Sequence, residues 1–203
     1  MQPKFEQSPE VEVSIFLPGD TTQSIRVLMS AYDFGDHGNP DRYIILHRGT
    51  LKDGAFVRIE SACLGHLFDL ARCDCHDQLV MALDELRHRE NYVLIYAYDQ
   101  DGRGNGPLEH LAAIKKMDEE GIPVAKVYPQ RDKRQYQNVA FLIKTMLGLS
   151  TIKLFTNNPD RISDLGNFGL KVERAAFEAS PRTESVTVLR WKKDLEGHLL
   201  DLP

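Results

Sequence analysis

The hydrophobic period of this chain changes once, and the change falls on a cluster of three cysteines. Up to about residue 62 the pattern is that of strands. Val11, Val13, Ile15 and Leu17 alternate, and the short runs SIRVLMSAY, RYIILH and AFVRIES follow, separated by the turn segments PGD, GDHGNP and KDG. Beyond Cys75 the period becomes helical, with Leu79, Ala82, Leu83 and Leu86 on one face over 77–89, and then YVLIYAY reads as a buried strand. A second helix is predicted from Pro107, suited to a first turn, to Gly121, suited to a stop. Val139, Leu142, Ile143, Met146 and Leu147 mark a third helix ending near Gly148. TIKLF is a strand, TNNP leads into a short fourth helix, and KVERAAF is the last strand. No internal repeat or low-complexity tract interrupts the pattern. The expectation is an α+β fold with mixed β-sheets and flanking helices, one domain over residues 1–203, strand-rich over 1–62 and alternating α/β over 63–203.

Composition narrows the partners. A 203-residue chain with 42% hydrophobic residues has enough apolar material for a sizeable core. Its net charge of −5 gives no chain-wide attraction to nucleic acid or to anionic lipid, so any bound anion must be met locally. The longest apolar run, Tyr92 to Tyr98, is too short for a bilayer, and the start lacks the basic-then-apolar order of a signal peptide. A soluble cytoplasmic protein, with no nucleic-acid or membrane partner, is expected.

The three cysteines occur as Cys63-x9-Cys73-x-Cys75, predicted to lie at a strand end, in a short loop and at a helix start. An odd number suits a disulfide framework poorly. Three thiolates on one zinc ion would leave a coordination position open for water, as hydrolytic chemistry requires. His66 or His76 would instead complete a closed four-ligand structural site. Buried inert thiols are a third reading. A second signal is basic: Lys126, Arg131, Lys133 and Arg134 lie close together, and Arg103 sits in the glycine-rich turn DGRGNG between a strand and a helix. Guanidinium forks and the free N–H groups of a glycine turn both suit phosphate oxygens, although a basic run also serves as a solvated face.

The segment ACLGHLFDLARCDCHDQL resembles the zinc-binding segment of the GTP cyclohydrolase II family, whose members open a guanine ring at the start of riboflavin synthesis. DGRGNG, DKRQY, LFTNNP and a final EGHLL follow in the family's order, and GTLKDGAFVRIES resembles the strand pair before its first cysteine. The resemblance implies a GTP cyclohydrolase II-like fold and zinc on Cys63, Cys73 and Cys75. It implies a zinc-bound water attacking C8 of guanine with release of formate, and Mg2+ accompanying the triphosphate. It makes Asp132 a general base and Arg134 a group that attacks or polarises the α-phosphate to expel diphosphate. Nucleotide contacts implied in the same way are Arg58, Ser61, Gln78, Asp101, Gly102, Arg103, Thr156 and Arg161, and a homodimer is expected because the family is usually dimeric.

Several matched positions depart from the family pattern. The loop between the first two cysteines is one residue short, Glu60-Ser61-Ala62-Cys63 replaces His-Ser-Glu-Cys, Asp101 replaces Glu and Arg161 replaces Lys. Ile114 or Lys115 stands where a tyrosine is expected, and the shortened stretch from Gly121 to Asp132 lacks a threonine, with Val124 nearest. A shorter Asp101 carboxylate and a lost phenol bear on base contacts and proton transfer. Three functions remain open: ring opening of GTP, ring opening of another purine or pyrimidine nucleotide, and a zinc-stabilised nucleotide-binding module without catalysis. Trp191 is read as a packing anchor, and Tyr136 as a ring partner beside Arg134. His37, His47, His88, His110 and His198 are read as surface or core residues, with no ligand spacing among them. Thr156 and Asn157 also suit turn chemistry and helix capping.

Overall fold

In the computed structural model, which describes residues 3–35, 39–128 and 132–202, alternating apolar residues form β1 (Glu6–Gln7), β2 (Val11–Phe16), β3 (Ser24–Asp33), β4 (Arg42–Arg48) and β5 (Ala55–Ser61). After the period change come α1 (Leu64–Phe68), α2 (Cys75–His88), β6 (Tyr92–Ala97), α3 (Asp101–Gly104), α4 (Pro107–Glu120) and α5 (Val124–Val127). The chain continues through α6 (Gln137–Phe141), β7 (Thr151–Phe155), α7 (Pro159–Asn167), β8 (Lys171–Ala175) and α8 (Val186–Glu196). Pro107 opens α4 and Gly121 closes it at φ 63°, a left-handed value that glycine adopts freely.

The third predicted helix differs from expectation. It is α6 followed by a π-helical turn over Leu142–Met146, and the wider turn keeps the adjacent Leu142 and Ile143 both in the core. Helix α8 was not legible as a helix, because its charged residues blur the apolar stripe. Its Trp191 packs beside Ala113, Met117, Val127, Tyr128 and Val188, the anchoring place expected of it. Among the described residues no helix is long and apolar enough to cross a membrane.

All eight strands join one sheet in the order β1-β3-β4-β6-β5-β7-β8, with β2 also on β3. The pairs β1–β3, β2–β3, β3–β4 and β4–β6 are antiparallel, while β5–β6, β5–β7 and β7–β8 are parallel. Strand β6 shows why YVLIYAY has no polar position. Val93 and Ile95 join one core layer with Leu142, Ile143 and Leu165, and Tyr92 and Leu94 join another with Ala82 and Leu86 of α2. Each such aliphatic side chain, taken fully out of water, contributes about 1.5–3 kcal/mol.

The order of the parallel strands locates the site. From β5 the chain passes to β6 on one side, then returns past β5 to β7 and β8 on the other. Such a reversal leaves a crevice beyond the carboxyl ends of the strands, where the following loops diverge. Ser61, Gln100, Thr156 and Phe177, each at or just beyond one of these four ends, line a single cavity.

Candidate functional site

The three thiols converge on this cavity. Cys63 follows β5 and caps α1, its Sγ accepting the Gly65 N–H at 3.3 Å; Cys73 lies in the loop before α2, and Cys75 is the first residue of α2. The three sulfur atoms lie within 4.8 Å of one another and all three residues line the cavity. Gly65 makes the approach possible. A Cβ there would meet the Cys73 Sγ at 2.6 Å and the Cys63 Sγ at 3.4 Å, so any side chain would fill the cradle. The crowding also shapes the charges. The thiols hydrogen-bond one another, which lowers the pKa of Cys73 and raises those of Cys63 and Cys75. Convergent soft donors and a small-residue cradle fit a zinc ion.

The wall also carries Arg58, Arg72, Arg103, Arg134, Arg161 and Lys192, in a chain of net charge −5. Most of these cations have carboxylate partners. Arg58 on β5 donates from Nε to Glu60 Oε2 at 2.7 Å and from Nη2 to Gln78 Oε1 at 2.5 Å, and Gln78 in turn donates to Asp74. Arg103 pairs with Glu196 at 2.7 Å, Arg134 with Asp132 at 2.5 Å and Lys192 with Asp74 at 3.3 Å. Arg161 of α7 is different. It is buried, and its partners are the Tyr136 hydroxyl at 3.2 Å, the Ile59 carbonyl at 2.8 Å and the Ser61 hydroxyl at 3.4 Å, with no carboxylate among the described residues. His198 registers the resulting field: burial, then Lys192, Arg161, Arg134 and Arg103, push its imidazole down to about 3.

The structure brings most of the predicted residues together. Arg58, Ser61, Cys63, Cys73, Cys75, Gln78, Gly102, Arg103, Arg134, Thr156 and Arg161 all line the cavity. Asp101 stands one contact behind the wall, and the exposed Asp132 holds Arg134 through both carboxylate oxygens. The turn carrying Asp101 is tight, with Gly102 at φ 56° and Arg103 at φ 61°, and the left-handed Arg103 aims its guanidinium at Glu196. Thr156 is buried and its Oγ1 accepts the Asn158 N–H. The capping predicted at this turn is done by Asn158, whereas Asn157 bonds the Phe177 carbonyl and Arg174.

The remaining expectations meet different outcomes. Of the basic run, Arg134 reaches the wall while Lys126 and Lys133 are exposed, as on a solvated face, and Arg131 lies outside the described residues, as do His37 and the side chain of Val124. His66 meets Glu60 and the Tyr96 hydroxyl and His76 meets the His66 carbonyl, and neither imidazole belongs to the group of ligating atoms that the three thiols form. Helix α2 begins at Cys75, the helix start expected for that cysteine, and its first turn, with Gln78, lies at the cavity. His110 and His198 are not mere surface or core residues, since both line the cavity. Sequence reasoning passed over His110 because its partner Asp101 is nine positions away, across a turn whose left-handed residues bring the two together at 2.8 Å. Tyr136 lies under Arg161, 5.3 Å from ring centroid to guanidinium, and is buried beneath the wall.

Residues 21–176 match the family description GTP cyclohydrolase II. A GTP cyclohydrolase-2 of Archaeoglobus fulgidus is 37% identical over 164 residues, 77% of this chain and 43% of that protein. Proteins named riboflavin biosynthesis protein RibBA are 35% identical over 94% of this chain and 48% of theirs in Bacillus mycoides, and 34% identical over 82% of this chain and 43% of theirs in Endomicrobium trichonymphae. The chain therefore spans about half the length of the curated relatives it matches. On the match across residues 21–176 and these identities, the chain belongs to the GTP cyclohydrolase II family.

Proposed function

We propose that the chain is a zinc-dependent hydrolase that opens the imidazole ring of GTP, releasing formate and, from the triphosphate, diphosphate, to leave a diaminopyrimidine or formamidopyrimidine ribonucleotide. One observation carries the reading: a single cavity holds three convergent thiols and, on another wall, a buried guanidinium, Arg161, with no carboxylate among its described partners. A buried cation without a carboxylate is costly until an anion reaches it, and a phosphate group is such an anion. Cys63, Cys73 and Cys75 would hold the zinc ion, which would supply Lewis acidity for hydrolysis.

The remaining roles belong to the chain's own residues. Arg161, Arg103 and Arg134 orient the phosphates, whose charge the Mg2+ of the substrate partly offsets. Arg134 is held as a cation: burial works against its charge, but Tyr136, Asp132 and Glu196 more than compensate and raise its pKa. That favours electrostatic stabilisation of the transferring phosphate over nucleophilic attack by Arg134. Asp132 keeps the fork oriented through two bonds and, with its pKa lowered by Arg134 against the effect of burial, stays a carboxylate near neutrality. Thr156, Ser61 and the Arg58–Gln78 pair offer polar groups to the nucleoside. A homodimer is part of the same reading and rests on the family alone.

Incubating zinc-loaded protein with GTP and magnesium, with formate and diphosphate assayed separately, tests this. Both products are expected, and both should vanish in Cys73→Ala; the absence of both from the native protein rules GTP out. A second reading is favoured by Ile114, which with Ala113 and Met117 presents an apolar wall where a family tyrosine is expected. That reading is ring opening of a different purine or pyrimidine nucleotide. An ultraviolet absorbance screen across nucleotides separates the two.

A further inference from the structure

Among the described residues, every arginine and lysine that lines the cavity except Arg161 is paired with a carboxylate, and one of these pairs is built unlike the others. Arg58 and Arg134 are held by acids two residues away in the chain, and Asp132 grips Arg134 through both Nε and Nη2. Arg72 meets the exposed Asp118, and Lys192 meets Asp74, which Gln78 also bonds. Arg103 is paired across 93 positions with Glu196, the last residue of α8. Both Glu196 oxygens meet a single nitrogen, Arg103 Nη2, at 2.7 and 2.8 Å. Among the described residues Arg103 Nε and Nη1 make no hydrogen bond, so most of the guanidinium fork is left for another oxyanion. The two side chains are 13% and 11% exposed, which shields the pair from water.

Arg103 is fixed in place and Glu196 is not. Arg103 is one of two described residues other than glycine at positive φ, a region costly for any residue with a Cβ. The Lys133 N–H holds its carbonyl at 3.0 Å. Around Glu196 the backbone is anchored on both sides, by Lys192 on Asp74 before it and by the Leu199 N–H on the Asn157 carbonyl at 2.8 Å after it. Its side chain can therefore leave Arg103 while α8 stays seated. A terminal phosphate carries about −1.5 to −2 charge near neutral pH and three acceptor oxygens, against one charge and two oxygens on a carboxylate. Arg161 takes one phosphate group without displacing any carboxylate. Further groups of the same chain are then tethered in the cavity and compete with Glu196 at high effective concentration.

We propose that Glu196 is a specificity-determining residue, which holds the place of a phosphate group on Arg103 and yields it to a polyphosphate chain but not to a single phosphate. The inference rests on the reading above that nucleotide phosphates enter this cavity. The exchange is non-covalent: the Arg103–Glu196 pair breaks and an Arg103–phosphate pair forms. It selects nucleoside polyphosphates over monophosphates, since a lone phosphate on Arg161 gains nothing from Arg103 while Glu196 stays.

Calorimetric titration of the full chain with inorganic triphosphate and with inorganic phosphate, at one ionic strength, reads the exchange. Glu196→Gln should bind triphosphate about 10–100-fold more tightly than the native protein, because a competing charge-assisted bond is gone, and phosphate with unchanged affinity. Glu196→Asp keeps the charge but shortens the reach. It too should favour triphosphate, which a general change in the field of the cavity would not produce, and it keeps the test usable should Glu196→Gln misfold. Triphosphate affinity unchanged or lowered in both variants, or phosphate affinity raised as much as triphosphate affinity, would overturn the role of Glu196 and leave the phosphate site standing. Neither anion bound by any of the three proteins would overturn the phosphate site itself.

Discussion

Two arginine–glutamate pairs lie on strands of the same sheet, and they differ in almost everything but chemistry. Arg26 on β3 meets Glu12 on β2 at 3.2 Å, with side chains 77% and 57% exposed. Arg58 and Glu60, both on β5, meet at 2.7 Å with side chains 5% and 6% exposed. The first pair decorates an antiparallel rim whose inward residues, such as Val27 and Leu46, are apolar. The second interrupts a central parallel strand where apolar residues would pack better. Taking two charges out of water costs more than their attraction commonly returns, so a buried pair in such a strand marks a place shaped by something other than stability. The antiparallel half supplies core, and the parallel half spends some of that stability to hold polar groups at its carboxyl ends.

The comparison breaks most visibly at Glu60. Glu60→Gln should strand the Arg58 charge and lower the unfolding free energy by about 3–5 kcal/mol, measured by urea denaturation. Its pH dependence has a definite sign. Against burial, which raises it, Arg58 and His66 hold the Glu60 carboxyl down to about 2 from an ordinary 4.5. A depressed pKa contributes stability in full above the unfolded value, lost as pH falls from about 4.5 through about 2. Circular dichroism on acidification should show a steeper loss over that window in the native protein than in Glu60→Gln.

Ile45→Ala, in the antiparallel β4 at 0% exposure, should cost about 2–5 kcal/mol by the same denaturation measurement. Metal content and nucleotide affinity should be unchanged, since the residue is remote from the cavity wall. Arg161→Met should do the reverse. Nucleotide affinity by calorimetry should fall about 10–100-fold with the charge-assisted bonds lost, while the melting temperature holds or rises because a buried unpaired cation has gone. A fall in melting temperature with unchanged affinity would place Arg161 among structural residues. Smallest is Arg26→Ala, expected to change stability by less than about 1 kcal/mol, and by less still in high salt.

Much of the architecture was legible because it follows from local rules. The β2, β3, β4 and β6 runs showed their period, Pro107 and Gly121 bracketed α4, and TIKLF and KVERAAF became β7 and β8. Helix α8 escaped because its stripe is narrow, with Lys192, Lys193 and Asp194 in succession, and the π-helical turn after α6 escaped because its residues suit either helix. In the site, the thiols, Arg103, Arg134 and Thr156 were legible through motifs that keep their spacing. His110, His198 and Glu196 were not, because no spacing along the chain ties them to the cysteines.

The sequence by itself determined which segments are strands and helices, where a cluster of soft ligands lies and which family pattern it resembles. Those properties depend on neighbours within a few residues and on fixed spacing. Only the tertiary structure decided that Arg161 is buried without a carboxylate, that Arg103 meets Glu196, and that His110 rather than His66 or His76 faces the cavity beside Cys63. The reason is the reversal of strand order at β5. It folds four loops, remote in sequence, over one crevice, so pairs such as Arg103 with Glu196 and Lys192 with Asp74 are made by topology rather than by position along the chain.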